Sequence, residues 1–184
     1  METAFELALD LLFPLTEFYP EGALQLLAQE TPGAALPEPY RSPLVHDSDM
    51  TSTLERFHGE PVVLRVLARR ELGRALYRQV VLVGETSGKP VEFGAIRIDL
   101  DSYGADARRA ILAGRRPLGA LLARHRIAYT SRPRSFFSLP VSPPIAAALE
   151  LPAPAGTLFG RSNALYGDDG RPLAEVLEIL PPAA

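Results

Sequence analysis

Alternating apolar positions mark the strands of this chain, and the stretch RALYRQVVLVGETSGKP shows the pattern most clearly. Leu76, Val80 and Leu82 occupy one face of a predicted strand, because successive side chains point to opposite faces. Arg78 falls on that same apolar face. An isolated buried charge is costly, so the pattern predicts a carboxylate partner for Arg78, from the protein or from a ligand. The alternative is an arginine whose stem packs while its head reaches solvent.

The same reading along the chain predicts an antiparallel sheet. PVVLRVLAR predicts one strand, ALYRQVVLV and VEFGAIRIDL predict a hairpin, and GRSNALYG and LAEVLEIL predict a second hairpin around DDGRP. Residues 131–158 carry several prolines and predict irregular structure around a short IAAALE helix. Many strands with few crossover helices indicate an α+β fold, an antiparallel β-sheet flanked by helices.

Helices are predicted at four further places. Residues 2–29 have helix-forming composition, and a Pro-rich loop follows over residues 31–43. MTSTLERFHG predicts a short helix that Thr51 or Ser52 caps and Gly59 ends. The other two helices are predicted from about Tyr103 to Leu112 and from Pro117 onwards. We expect one domain over residues 1–184, in which residues 1–43 form an N-terminal helix and a Pro-rich lead-in.

Composition narrows the range of functions. The 184 residues carry a formal net charge of −3, which provides no general attraction to nucleic acid. The chain has no cysteine, and its three histidines form no metal-ligand motif. Its one lysine, Lys89, sits in a turn, which does not suit an imine-forming lysine. The longest apolar run is too short to span a bilayer. We therefore expect a cytoplasmic protein without a membrane span, a metal or a cofactor.

The last predicted strand, LAEVLEILPP, carries two candidate acids. Glu178 shares a face with Val176, whereas Glu175 shares the opposite face with Leu177. The core should cover one face, so one of these acids is expected to be buried. Burial raises the pKa of a carboxyl group, which suits it to proton transfer near neutral pH. Strand parity alone does not say which glutamate is buried, and the alternative is an acid that points to water.

Three further features are each weak evidence for a ligand-binding site when taken singly. The GRRPLGALLARH segment places Leu118 at a helix start, where unpaired N–H groups could meet an anion. Met50 lies at another helix start, where a methionine is ordinarily part of the core. Arg161 is a second strand arginine, for which a surface ion pair is the ordinary interpretation.

Taken in order, these segments resemble the chorismate–pyruvate lyase family, in particular its divergent bacterial and archaeal type. The resemblance rests on DSDMT with LERFHG, on LYRQVVL, on RRPLGALL and on GRSNALYGDDGRPLAEVLEILPP. It runs from about residue 44 to residue 184. Each motif is short, but the four occur in the family's order and at similar spacing.

The resemblance implies a fold, a reaction and a set of residues. The implied fold is an antiparallel sheet with a ligand enclosed beneath helical segments. The implied reaction converts chorismate to 4-hydroxybenzoate and pyruvate without a cofactor. The essential arginine of the family matches Arg78 and its essential glutamate best matches Glu178, with Glu175 as the fallback. Backbone groups that bind the ligand match Met50 and Leu118, and Arg161 is carried over as a further substrate-binding residue.

Two rival interpretations remain. Ligand-sensing domains of bacterial transcription regulators share this fold and bind small molecules, such as aromatic acids, without reacting them. Such sensors normally follow a DNA-binding winged helix, which we do not expect within the short, Pro-rich and acidic segment before HDSDMT. The last interpretation, an interaction protein without a pocket, leaves Arg78 unexplained.

Overall fold

A computed structural model describes residues 11–19 and 28–183 and shows an α+β fold built on one seven-stranded antiparallel sheet. The strands are β1 (Gln29–Glu30), β2 (Val62–Leu72), β3 (Ala75–Gly84), β4 (Pro90–Asp99), β5 (Tyr129–Pro140), β6 (Thr157–Gly167) and β7 (Pro172–Leu180). The helices are α1 (Arg41–Leu44), α2 (Met50–His58), α3 (Ala105–Ala113), α4 (Leu118–Arg124) and α5 (Pro143–Ala148). The sheet order is β1-β5-β6-β7-β4-β3-β2.

Both predicted hairpins are confirmed, and they meet at the centre of the sheet. β3 and β4 form the first hairpin, β6 and β7 form the second, and β4 pairs with β7. The prediction of irregular structure over residues 131–158 is wrong for its first part, because β5 is a twelve-residue strand. Its Pro133 lies at a register shift beside β6, and a bulge of this kind is one of the places where a strand tolerates proline. The short helix predicted at IAAALE is present as α5.

The helix predictions hold except at one cap and at the N-terminus. Asp49, rather than Thr51 or Ser52, caps α2, since its side chain accepts a hydrogen bond from the Ser52 N–H at 2.8 Å. Gly59 ends α2 in the left-handed conformation, as predicted. Most of the helix predicted over residues 2–29 lies outside the described residues. Within the described part, Leu15–Phe18 forms a 3₁₀ turn and Gln29 begins β1, so the helix prediction is wrong at both places. The loop predicted over residues 31–43 ends in helix α1, which begins at Arg41.

Apolar clusters cover the two faces of the sheet. One face packs against α5 and the 3₁₀ turn, through residues such as Leu15, Phe93 and Ile145. The opposite face carries two separate clusters, one under α3 and α4 and one under α1 and α2. Between these two clusters the face is more polar, and this gap holds the candidate site.

Candidate functional site

A cavity opens on the sheet between the beginnings of α2 and α4. Its floor comes from the even-numbered positions of β3, namely Arg78, Val80 and Leu82, and from their neighbours on β4 and β7. Met50 and Leu118, the first residues of α2 and α4, line the cavity from the helical side. The two helices can approach closely because Gly119 has no side chain, and a Cβ atom there would overlap the carboxylate of Asp49.

Arg78 lies on the cavity wall and is only 2% exposed. Its Nε and Nη1 atoms have no hydrogen-bond partner among residues 11–19 and 28–183. The residue opposite Arg78 on β2 is another arginine, Arg69. Burial first, and the charge of Arg69 second, lower the pKa of Arg78 to about 10, so its guanidinium is still cationic at neutral pH. The sequence predicted a carboxylate partner for Arg78, either from the protein or from a ligand. Within the described residues, no protein carboxylate binds Arg78.

Glu178 is buried on the same cavity wall, and its partner is Arg161. The two residues face each other across β7 and β6, and Arg161 Nε donates to Glu178 Oε2. Arg161 Nη1 also donates to the carbonyl oxygens of Leu44 at 3.1 Å and His46 at 2.8 Å. Arg161, carried over as a substrate-binding residue, lies outside the residues that line the cavity and instead binds the carboxylate of Glu178. It is fully buried, and the surface ion pair considered for it is wrong.

Glu175, the fallback acid, lies on the opposite face of the sheet. Its carboxylate pairs with Arg134 at 2.7 Å and with Arg97 at 3.2 Å. The alternation of side chains along β7 thus puts the two acids on opposite faces of the sheet, and Glu178 is the one that lines the cavity.

Several polar groups on the cavity were not singled out from the sequence. Asn163 and Ser131 hydrogen-bond to each other across β6 and β5. Glu92 on β4 is 5% exposed, and its Oε2 atom has no partner within the described ranges. Burial first, and the nearby Glu178 second, raise the pKa of Glu92 well above its ordinary value. The alternation in VEFGAIRI could have identified Glu92, because it shares a strand face with Ile96.

Within the part of the chain that the structure describes, no group of three or more histidine, cysteine, aspartate or glutamate side chains is placed to hold a metal ion. None of the helices found there is long and apolar enough to cross a membrane.

Comparison with known proteins gives similarity in fold only. No protein-family model matches the chain, and no curated protein sequence matches it. Among solved structures, PhnF from Mycobacterium smegmatis aligns with 74% of this chain at 14% identity and a TM-score of 0.58, and the alignment spans 64% of PhnF. The effector domain of PhnF aligns with 72% of this chain at 15% identity and the same TM-score, over 87% of that domain.

A possible transcriptional regulator, YydK from Bacillus subtilis subsp. subtilis str. 168, is also similar. It aligns with 65% of this chain at 9% identity and a TM-score of 0.50, over 57% of its own length. The expected fold, an antiparallel sheet like that of regulator ligand domains, is thereby confirmed. Identities at this level say nothing about activity.

Proposed function

We propose that the protein binds a small organic molecule through a carboxylate group, which the guanidinium of Arg78 holds inside the cavity. The buried Arg78 side chain carries this proposal, because two of its N–H-bearing nitrogens have no partner in the described part of the protein. A planar guanidinium binds a carboxylate through two parallel hydrogen bonds. Such a ligand would neutralise a charge that is otherwise costly to bury.

The rest of the cavity wall supports a ligand with an apolar ring. Around Arg78 the wall is formed by the side chains of Leu64, Val80, Ile96 and Leu165. Ligand sites commonly combine such apolar walls with a few polar groups that fix orientation. The effector domain of PhnF has a similar fold, and this similarity supports a binding function by analogy of fold alone.

Calorimetric titration with matched ligands tests this proposal. Benzoate and benzamide have the same ring and differ in the charge of one group. Saturable binding of benzoate, with no detectable binding of benzamide, is the expected result. Equal binding of both compounds, or binding of neither, would contradict the proposal.

A second candidate function is chorismate–pyruvate lyase activity, and one observation favours it. Four of the residues carried over from that family, Arg78, Glu178, Met50 and Leu118, line the same cavity although they come from four separate elements. A chance resemblance of short motifs gives no reason for this convergence.

In this reaction the ring C–O bond to the enolpyruvyl group breaks and the ring loses one hydrogen as it becomes aromatic. The departing group gains one hydrogen at its methylene carbon and leaves as pyruvate, so the atoms balance. Arg78 would fix the ring carboxylate, and Glu178 would carry the proton between ring and leaving group. Arg161 would hold the carboxylate of Glu178 in place. Fixing the reactive conformer and placing one proton carrier are the two contributions the chain would make.

Incubation with chorismate tests the lyase candidate. Chromatography would quantify hydroxybenzoate and pyruvate over time in the presence and absence of protein. Equimolar formation of the two products, faster than in the protein-free control, is expected of a lyase. Saturable binding of chorismate without product formation would contradict the lyase candidate and support only the binding function.

A further inference from the structure

Glu92 is a buried acid that the proposed roles of Arg78 and Glu178 leave unexplained. Its side chain lines the cavity, and its Oε2 atom has no hydrogen-bond partner within residues 11–19 and 28–183. Buried polar groups in native proteins are almost always hydrogen-bonded. An exception on a cavity wall therefore points to a partner that enters the cavity.

The register of the sheet places Glu92 at a distance from Arg78. Arg78 lies opposite Ile96 of β4, and Glu92 lies opposite Leu82 of β3. The two charged positions are thus four residues apart along the strands, which is roughly 13 Å. This offset is too long for the two side chains to form an ion pair with each other, and none is found between them in the described structure. A ligand that meets both groups must extend along the strands.

Glu178 is the closer neighbour of Glu92. Gly94, two residues from Glu92 on the same strand face, lies directly opposite Glu178. Glu92 Oε1 lies 3.5 Å from the position that a Cβ atom on Gly94 would take. Glu92 and Glu178 are therefore diagonal neighbours across β4 and β7, within reach of one ligand group.

The two acids differ in what they can offer to a ligand. Glu178 accepts a hydrogen bond from Arg161. Burial first, and the charge of Glu178 second, raise the pKa of Glu92, while Arg161 acts to lower it and Asp49 to raise it. The raised pKa favours the protonated form of Glu92, and a protonated carboxyl group donates one hydrogen bond.

We propose that Glu92 is a ligand-binding residue whose carboxyl group donates a hydrogen bond to an oxygen of the ligand. That oxygen lies at the opposite end of the ligand from the carboxylate that Arg78 holds. The inference rests on the proposed binding function and adds a second hydrogen-bonding contact to it. A hydroxyl oxygen there could accept from Glu92 and donate to Glu178.

Titration of two matched ligands into three proteins tests the role of Glu92. The ligands are benzoate and 4-hydroxybenzoate, which differ by one hydroxyl group. The proteins are the wild type, Glu92→Leu and Glu92→Gln, each checked for folding by its melting temperature. Glu85→Gln, in the exposed turn of the same hairpin, serves as the control variant.

The wild type is expected to bind 4-hydroxybenzoate roughly tenfold more tightly than benzoate. Glu92→Leu should lose that preference while it binds benzoate as well as the wild type does. Glu92→Gln should keep part of the preference, because its amide can still donate, and Glu85→Gln should keep all of it. An unchanged preference in Glu92→Leu would overturn the role of Glu92 alone. Failure of the wild type to bind either ligand would instead overturn the binding function, and this inference with it.

Discussion

The carboxylate of Glu178 faces Arg161 across β7 and β6 and binds it, which leaves Arg78 without a protein carboxylate in the described structure. The two buried arginines therefore have different roles. Arg161 completes a network with Glu178 and two backbone carbonyls. Arg78 has two nitrogens without a hydrogen-bond partner in the described structure, and we propose that they bind the carboxylate of a ligand.

Arg161→Met should lower the free energy of unfolding by about 3–5 kcal/mol, because it leaves Glu178 buried without its ion-pair partner. Urea unfolding measures this change. Arg97→Met is the matched control, since the pair of Arg97 with Glu175 is partly exposed and should contribute about 1 kcal/mol or less. The double variant Arg161→Met with Glu178→Leu should regain most of the loss. If Arg161→Met and Arg97→Met were equally stable, the buried network would not have the structural role described.

Arg78→Leu should raise the free energy of unfolding of the ligand-free protein, by about 1–4 kcal/mol, because an apolar side chain replaces an unpaired buried charge. Arg74→Leu, at an exposed position just before the same strand, should change it by about 0.5 kcal/mol or less. Urea unfolding of both variants provides the comparison. A clear loss of stability in Arg78→Leu would show that Arg78 has a structural partner within the protein.

Glu178→Gln should lower kcat for chorismate by about 10²–10⁴-fold, because the amide cannot carry the proton. Binding of 4-hydroxybenzoate should largely persist, since the amide oxygen can still accept from Arg161. Glu175→Gln, on the opposite face of the sheet, should retain the wild-type rate. Product formation under saturating chorismate measures both variants. Full activity of Glu178→Gln together with an inactive Glu175→Gln would show that Glu175, and not Glu178, carries the proton.

The pH dependence of stability should carry the signature of Glu92. Its pKa in the folded protein is raised, so the folded state binds a proton more tightly than the unfolded state does. Stability is then lost as pH rises from the unfolded pKa of about 4.3 towards the raised folded value. The pKa of Glu92 is also affected by three charged neighbours, Glu178, Arg161 and Asp49. All three are unchanged in Glu92→Gln.

Glu92→Gln should therefore be more stable relative to the wild type at pH 8 than at pH 4.5. Urea unfolding of the two proteins at both pH values gives the comparison. A stability difference that does not change with pH would mean that the pKa of Glu92 is the same in the folded and unfolded states.

Gly94→Ala should be destabilising, by about 1–3 kcal/mol, because a Cβ atom at this position would overlap the carbonyl oxygen of Leu177 on β7. The strands would have to separate beside Glu178. Gly104→Ala is the control, since a Cβ atom there meets nothing within 4 Å. Melting temperatures measure both changes. Equal melting temperatures would show that β4 and β7 can adjust without cost.

Alternation of apolar and polar residues was sufficient to predict both hairpins and to place Arg78 on the apolar face of β3, but it left open whether the guanidinium reaches solvent. It failed at β5, because prolines normally exclude a strand, and the bulge beside Pro133 that accommodates one leaves no signal in a single sequence. The cap of α2 was also predicted wrongly. Asp49, Thr51 and Ser52 are all residues that cap helices well, and only the folded backbone distinguishes them.

For the site, the family resemblance named four residues that line the cavity, Met50, Arg78, Leu118 and Glu178, but not their partners. Parity along β7 put Glu175 and Glu178 on opposite faces, yet which face meets the cavity depends on the packing of helices distant in sequence. The pairing of Arg161 with Glu178 depends on the register between β6 and β7, which the turn length alone did not fix. Glu92 was overlooked although it shares a strand face with Ile96, and only the structure shows that its Oε2 atom has no partner in the described residues.

The role of Arg78 is tested most directly by titrating 4-hydroxybenzoate into the wild type and into Arg78→Leu, with Arg74→Leu as the control. Removal of one partner from a buried charged contact costs about 2–5 kcal/mol, so Arg78→Leu should bind at least roughly 30-fold more weakly. Wild type and Arg74→Leu should bind alike. Equal affinity in Arg78→Leu and the wild type would show that Arg78 does not hold the ligand carboxylate.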